Sequence, residues 1–260
     1  MKPQYKNWMP INVLVLWTTM SIVSIALSIG LAVAPILFPL RIFFGIFFGI
    51  LSIFFLYFTV KFYIMRAYFS YDGKQQLSRK IIESIAEYIK LEKGQSCLDI
   101  GCGSASLSNT VAKRNPEATV TGLDMWGKTY EFSKALCENN AKAENLTNVS
   151  FVNGDARKLD FPDETFDAVT SNYVYHNIPF GNRQDLLMET FRVLKKGGTF
   201  AIHDLMTKAK YGDMDAFIKK LKDYGFSEVK LLPTTDGLFM SKKVAKANML
   251  IGSFLLTGIK

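Results

Sequence analysis

The stretch "LDIGCGSAS", Leu98 to Ser106, decides the fold. An apolar run holding one acid, Asp99, breaks into Gly101 and Gly103 and then into small residues. A strand that turns sharply into a helix uses glycines where φ must be positive or where another group presses on the backbone. Three readings fit this turn: a dinucleotide, a nucleoside without phosphates, or nothing beyond the turn itself. Two glycines alone do not choose among them, and the third glycine of the dinucleotide fingerprint would fall on Ser106. The surrounding acids narrow the choice. Asp99, at the mouth of the turn, would repel a pyrophosphate and suits a cationic amino group. Asp124 closes the next apolar run, "ATVTGLDM", where an acid accepts from both hydroxyls of a ribose. Asp155 closes the third, "VSFVNGD", and can accept from an exocyclic adenine amine. Three rim acids together describe a nucleoside with an amino acid tail.

Outward from that stretch, strand and helix patterns alternate. Leu77, Ile81, Ile82, Ile85, Tyr88 and Ile89 fall at helical spacing before Gly94. "SCLDI" reads as a first strand and Ser104 to Arg114 as a helix. "ATVTGLDM" is the second strand, Lys128 to Glu144 a helix, "VSFVNGD" the third strand and "FDAVTSNYV" the fourth. A helix from Asn182 to Lys195 closes on Gly197 and Gly198, which lead into "TFAIHDLM", the fifth. Asp213 to Tyr224 is a further helix, followed by "EVKLL" and "GSFLLTGIK" as sixth and seventh strands. Such alternation implies an α/β fold with a mostly parallel sheet and ligands at the carboxyl ends of its strands. "YEFSK" holds a Tyr130-x-x-x-Lys134 pair like that of short-chain dehydrogenases, but it sits on the helix after the second strand and points away from any nicotinamide.

The amino-terminal quarter has another character. Between Lys6 and Lys61 the sole charged residue is Arg41. Residues 11–34 and 42–60, as helices, reach roughly 36 and 28 Å against a hydrocarbon core of about 30 Å. Two membrane spans follow, with Pro35 and Pro39 in the turn between them. A signal peptide has a shorter apolar core and a small-residue cleavage site. Lys2 and Lys6 precede the first span; Lys61, Arg66, Lys74, Arg79 and Lys80 follow the second, which puts both termini and the remaining domain in the cytoplasm. That basic stretch suits an anionic leaflet and supplies much of the net charge of +8, so the charge is weak evidence for nucleic acid. Residues 1–66 thus read as a membrane hairpin and 67–260 as the catalytic domain. Cys97, Cys102 and Cys137 form no CxxC pair, implying a reduced compartment and no metal site.

Five ordered motifs, "LDIGCGSAS", "TGLDMW", "NGDA", "FDAVTSNYVYHNI" and "RVLKKGG", make residues 75–260 resemble a class I S-adenosylmethionine-dependent methyltransferase. The nearest likeness is to the branch acting on quinones, sterols and other small molecules. The resemblance implies a Rossmann-like seven-stranded sheet of order 3-2-1-4-5-7-6 and S-adenosyl-L-methionine as cofactor. It implies that Asp99, Gly101 and Gly103 hold the methionine part, Asp124 the ribose, and Asp155 with Ala156 the adenine. Met125 and Trp126 would flank the base, and Asn172 would sit under the sulfonium. The family pattern acid-x-Gly-x-Gly-x-Gly ends here on Ala105, whose methyl group bears on how closely the cofactor tail approaches.

For the acceptor, a base must remove a proton from oxygen or carbon. The chain has two histidines. His176, in "NYVYHNI" on the rim after the fourth strand, is the expected base or orienting group; His203 reads as structural. Tyr173 and Tyr175 are expected to line the acceptor pocket. The motif of amino-methylating nucleic acid enzymes is missing, so no nucleic acid partner is expected. The expected acceptor is a small, apolar or lipid-like molecule arriving from the bilayer. "DGLFMSKKVAKANMLI" mixes apolar residues with Lys242, Lys243 and Lys246, a pattern suited to a membrane interface. The competing reading is a membrane-anchored binding or scaffold protein that keeps the fold without turnover.

Overall fold

The computed structural model describes residues 2–35, 37–127 and 132–260, and it divides into two compact units: Met1–Lys6 with Leu77–Lys260, and Asn7–Gln76.

The second unit is a helical hairpin of α1 (Ile11–Val33) and α2 (Phe38–Tyr68), both long and apolar enough to cross a membrane. Its burial is inverted. Ser21, Ser24 and Ser52 are buried, whereas Ile22, Val23, Ile29, Phe43 and Ile53 face outward. Small residues let the two backbones approach. Ser28 Oγ donates to the Gly45 carbonyl at 2.9 Å, and a Cβ placed on Gly49 would stand 3.5 Å from that hydroxyl. Trp17 lies against Phe54, Phe55, Phe58 and Phe62 with centroids 4.8–6.0 Å apart. Where the hairpin begins and ends, Asn7 Nδ2 donates to the Arg66 carbonyl at 2.7 Å, and Arg66 Nη1 donates to the Met9 carbonyl. Two details differ from the sequence reading. Pro39 is not in the turn but in the first turn of α2, where a missing N–H has no intrahelical partner to lose. α2 also continues past Val60 to Tyr68, because lysine and arginine are good helix formers and no glycine or proline interrupts it.

The first unit holds α3 (Leu77–Ala86) and then β1 (Ser96–Ile100), α4 (Ser106–Arg114), β2 (Thr119–Asp124), α5 (Lys134–Ala143), β3 (Val149–Asn153) and β4 (Phe166–Asn172). Next come a 3₁₀ turn at Tyr175–Asn177, α6 (Arg183–Arg192), β5 (Leu194–Leu205), α7 (Lys208–Tyr211), α8 (Met214–Asp223), β6 (Ser227–Pro233), α9 (Lys242–Ala247) and β7 (Ser253–Ile259). The seven strands run in the order β3-β2-β1-β4-β5-β7-β6, as the resemblance implies. β1 to β5 are parallel, and β7 is antiparallel to both neighbours. Central strands bury apolar side chains on both faces, since a parallel sheet is covered on both; Leu98, Ile100, Val169, Phe200 and Ile202 are fully buried. Side chains of Ser133, Asn182 and Asp213 cap α5, α6 and α8. Of the helix expected from Lys128 to Glu144, residues 128–131 lie outside the described residues, and with them Tyr130 of the discounted Tyr130–Lys134 pair. β5 starts before Gly197 and Gly198 rather than after them. Its pairing with β4 is irregular there, from Phe166–Leu194 to Ala168–Thr199, and the Gly197 N–H is taken by the Lys260 carbonyl.

Candidate functional site

β1 lies between β2 and β4, so the loop leaving it opens at the point where strand order reverses. Gly101 and Gly103 have φ of +72° and +59°. Gly101 and Cys102 donate their N–H groups to the Leu123 carbonyl at 2.7 and 3.0 Å, which pins the loop to β2. A Cβ on Gly101 would come within 2.2 Å of Val174, so the loop after β4 packs directly on this turn. Ala105 also has positive φ, +69°, where the family pattern has its last glycine.

Gly103 is held from several directions. Its N–H donates to Asp124 Oδ2 at 2.9 Å. Its carbonyl accepts from Trp126 Nε1 at 3.1 Å and from Cys137 Sγ at 3.2 Å. The other Asp124 oxygen accepts the Trp126 N–H at 2.7 Å. Asp124 thus stands at the end of β2 with a carboxylate fixed by two backbone donors and lone pairs left for hydroxyls. Trp126 packs over Cys102, Ala105 and Cys137 as the loop's roof. Met125 is 57% exposed on the rim.

Asp99 does not sit at the mouth of the turn. It is 1% exposed, its Oδ2 taking the Ser108 hydroxyl at 2.5 Å. Burial pushes its pKa up to about 7, opposed by that hydrogen bond and reinforced by the Asp124 charge. Asp155 is on the rim, but both its oxygens accept from Arg157, at 2.8 Å (Nε) and 2.6 Å (Nη2) on Oδ2 and at 3.0 Å on Oδ1. The guanidinium holds it below the usual carboxylate range. Ala156 is buried in the main core.

On the far side of the loop, β4 ends at Asn172, whose Oδ1 accepts from His203 Nδ1 at 2.8 Å. His203 is buried in β5, its Nε2 3.0 Å from the Thr234 hydroxyl, and desolvation lowers its pKa to about 3. Both of its ring nitrogens are thus engaged inside the fold. His176 is different. Its Nδ1 and its backbone N–H both bond to Asp204, the latter at 3.0 Å. Asp204 is fully buried and accepts two further bonds, from Leu205 N–H at 2.6 Å and Tyr211 hydroxyl at 2.8 Å. Those donors hold its pKa below the ordinary value although burial opposes them. A carboxylate on Nδ1 fixes the imidazole tautomer and leaves the Nε2 lone pair directed away from Asp204.

Tyr175 is a correction. It is wholly buried in the main core with its hydroxyl 2.6 Å from Thr190 Oγ1, so it packs the fold instead of lining an acceptor pocket. Tyr173 stays at the site: its ring stands 4.5 Å from His203 and 5.9 Å from His176, and its hydroxyl 2.7 Å from Ser253 Oγ. Asp204 and Tyr211 were missed by sequence reasoning. The available signal was that Asp204, like Asp124, is an acid at the carboxyl end of a central strand. Among the described residues no cluster of metal-ligating side chains occurs.

An acid at the end of β2, a glycine turn open at the reversal of strand order, and the sheet order itself resemble those of class I S-adenosylmethionine-dependent methyltransferase domains. The methyltransferase-domain family matches residues 98–202. Over 117 residues the chain is 36% identical to demethylmenaquinone methyltransferase of Listeria welshimeri, covering 45% of this chain and 47% of that protein. The match therefore spans about half the length of each. Among solved structures, an S-adenosylmethionine-dependent methyltransferase from Aquifex aeolicus aligns with a TM-score of 0.50 at 18% identity, over 72% of this chain and 94% of that one. The [4+2]-cyclase SpnF aligns with a TM-score of 0.54 at 18% identity, over 74% and 85%. These two likenesses are of fold, which by itself does not fix chemistry.

Proposed function

We propose that this chain is a membrane-anchored methyltransferase that transfers a methyl group from S-adenosylmethionine to a small apolar acceptor of the demethylated quinone type. The observation that carries the reading is His176, held by buried Asp204 on the loop that packs against Gly101. When bound, the cofactor supplies an activated methyl group for in-line displacement. The residues of the loop fit that molecule: Gly101 and Gly103, at positive φ and packed under Val174 and Phe132, give a tight turn with no side chain of its own, and Asp124 keeps lone pairs for ribose hydroxyls. Asp99, behind the loop, meets the cationic end of the methionine part through charge, and that contact favours its ionised form. Met125 and Trp126 would flank the base, Asp155 with Ala156 would border the adenine, and Asn172 would lie near the sulfonium. His176 Nε2 takes the acceptor proton as the new bond forms, and Asp204 stabilises the imidazolium that results.

The hairpin supports an acceptor drawn from the bilayer. The basic residues on either side of it favour both termini in the cytoplasm, with Lys61 to Lys80 against an anionic leaflet. Leu238, Met249 and Ile251, exposed around α9 beside Lys242, Lys243 and Lys246, suit an interfacial contact. The test is full-length protein in anionic nanodiscs containing demethylmenaquinone reduced to its quinol by dithionite, whose electron-rich ring carbon can attack the methyl group, supplied with isotopically labelled S-adenosylmethionine. Labelled, singly methylated quinone is expected by mass spectrometry. Cofactor binding without any methylated product would overturn the enzymatic reading and favour a scaffold.

A further inference from the structure

Three polar side chains around the glycine loop, Ser104, Asn109 and Asn140, are buried, yet each is met by a segment distant in sequence, Gln4–Lys6. Asn140 grips the backbone of Gln4 at both ends: Oδ1 accepts its N–H at 2.6 Å and Nδ2 donates to its carbonyl at 3.3 Å. The same Nδ2 donates to the Ser104 carbonyl, inside the loop, at 3.0 Å. Lys6 N–H donates to Ser104 Oγ at 3.3 Å. The Tyr5 hydroxyl donates to Glu144 Oε2 at 2.5 Å and accepts from Asn109 Nδ2 at 3.0 Å.

Ser104 stands between Gly103, whose N–H is fixed on Asp124, and Ala105, whose positive φ turns the chain into α4. Its carbonyl and its hydroxyl are both tied into the contacts of the amino-terminal segment. Backbone–amide pairing of this kind is directional, so the segment constrains where the loop lies as well as shielding it. Nothing in the Rossmann-like sheet itself requires residues 4–6, and no sequence pattern marks them.

We propose that Gln4–Lys6 is a positioning strap for the cofactor loop, setting the Ser104 backbone and through it Gly103 and Asp124. The inference rests on the cofactor reading above. Cofactor affinity is thereby linked to the segment that leads, through Asn7 to Pro10, into α1. Gln4, Tyr5 and Asn140 act through the loop and touch no reacting atom.

The experiment titrates S-adenosylhomocysteine into the full chain in nanodiscs by calorimetry, for wild type, Gln4→Pro and Tyr5→Phe. Gln4→Pro removes the N–H that Asn140 accepts, and Tyr5→Phe removes the hydroxyl between Asn109 and Glu144. Each is expected to weaken binding about five- to tenfold, at the low end of typical site-to-site coupling. Melting temperature without ligand and the maximal rate at saturating cofactor are expected to stay at wild-type values. Wild-type affinity in both variants overturns the strap and leaves the cofactor reading standing. Parallel loss of affinity and melting temperature also overturns it, in favour of general stabilisation. Absence of binding by the wild type overturns the cofactor reading, and the strap with it.

Discussion

The hairpin and the methyltransferase unit solve burial in opposite ways. In the hairpin, Ser21, Ser24 and Ser52 are inside and many Ile, Val and Phe side chains outside; in the other unit, Leu98, Val169 and Phe200 are inside and most charges outside, Asp99 and Asp204 excepted. Their buried polar groups differ as well. In the hairpin the hydroxyls of Ser24 and Ser52 bond within their own helices, to the carbonyls of Ser21 and Phe48, and that of Ser28 reaches the paired helix at Gly45. In the methyltransferase unit they join distant elements, and Asp204 collects donors from the loop after β4 and from α7. Hydrogen bonds within one helix or between two paired helices satisfy those helices and do no more. Distant ones fix the relative placement of reactive groups, which is what a site needs.

The largest expected effect tests that contrast. Asp204→Asn keeps the size of the side chain but replaces a four-fold acceptor with a group that must also donate. His176 then loses its fixed tautomer. Methyl transfer is expected to fall about 10²–10⁴-fold, the usual range for losing general-base catalysis, with S-adenosylhomocysteine affinity unchanged. Ser52→Ala, in the hairpin, is expected to leave both quantities at wild-type values. If kcat for Asp204→Asn stays within a factor of about two, His176 is not the base, given that range.

Glycines sharpen the comparison next. Gly101→Ala places a methyl group 2.2 Å from Val174 at a φ of +72°, and overpacking with left-handed strain together cost about 2–4 kcal/mol. Gly30 in α1 has nothing within 4 Å of a built Cβ, and Gly30→Ala is expected to be neutral or stabilising by up to about 1 kcal/mol. Thermal melting of the full chain measures both, and Val174→Ala is expected to restore part of the Gly101→Ala loss.

The same difference explains what was legible beforehand. Hydrophobic runs bounded by Lys6, Arg41 and Lys61 announce α1 and α2, because each run is long enough for one helix and apolar nearly all round. Alternating elements and the acids Asp124 and Asp155 announce a mostly parallel sheet and the rim at its strand ends, while the order of the strands came with the resemblance. Side-chain direction was not legible. Asp99 and Tyr175 lie on the right elements, but both turn into the interior, where Ser108 and Thr190 receive them. The pairing of His176 with Asp204 spans two strands, and the docking of Gln4–Lys6 spans almost half the chain. Neither leaves a periodic trace. The start of β5 was misjudged because Gly197 and Gly198, ordinarily a helix end, sit inside an irregular strand.

A smaller effect concerns pH. Asp99, with its pKa raised from 3.8 to about 7, binds a proton in the folded state that the unfolded chain releases, so its contribution to stability falls as pH rises through that window. His203, lowered from 6.5 to about 3, does the reverse: the unfolded chain binds the proton, and stability rises with pH across its window. From about pH 4 to about pH 6.5 the two slopes oppose each other. Asp99→Asn removes one of them, and its stability is expected to gain a positive slope relative to wild type of about 1.4 kcal/mol per pH unit. Chemical denaturation at a series of pH values reads this directly. Parallel profiles for the two proteins would show that Asp99 ionises as an ordinary carboxylate.

The smallest expected effect lies within the glycine loop itself, at the one position where this chain departs from its family's pattern. Ala105 holds φ at +69° and is fully buried, at the residue that starts α4. Ala105→Gly relieves left-handed strain of about 1–2 kcal/mol. It also removes a buried methyl group worth about 0.8 kcal/mol and adds freedom to the unfolded chain worth about 0.4–1 kcal/mol. These contributions nearly cancel, so the melting temperature is expected to shift by no more than about 2 °C, the equivalent of roughly 0.5 kcal/mol for a domain of this size. Cofactor affinity is the more informative readout. Gly103, two residues earlier, carries the contacts to Asp124 and Trp126, whereas Ala105 packs toward Cys102 and Cys137 behind the loop. Unchanged S-adenosylhomocysteine affinity in Ala105→Gly is therefore expected. A gain of tenfold or more, about 1.4 kcal/mol, would mean that the methyl group holds the cofactor tail away from the backbone, and that the third glycine of the pattern is a binding position here as well as a turn.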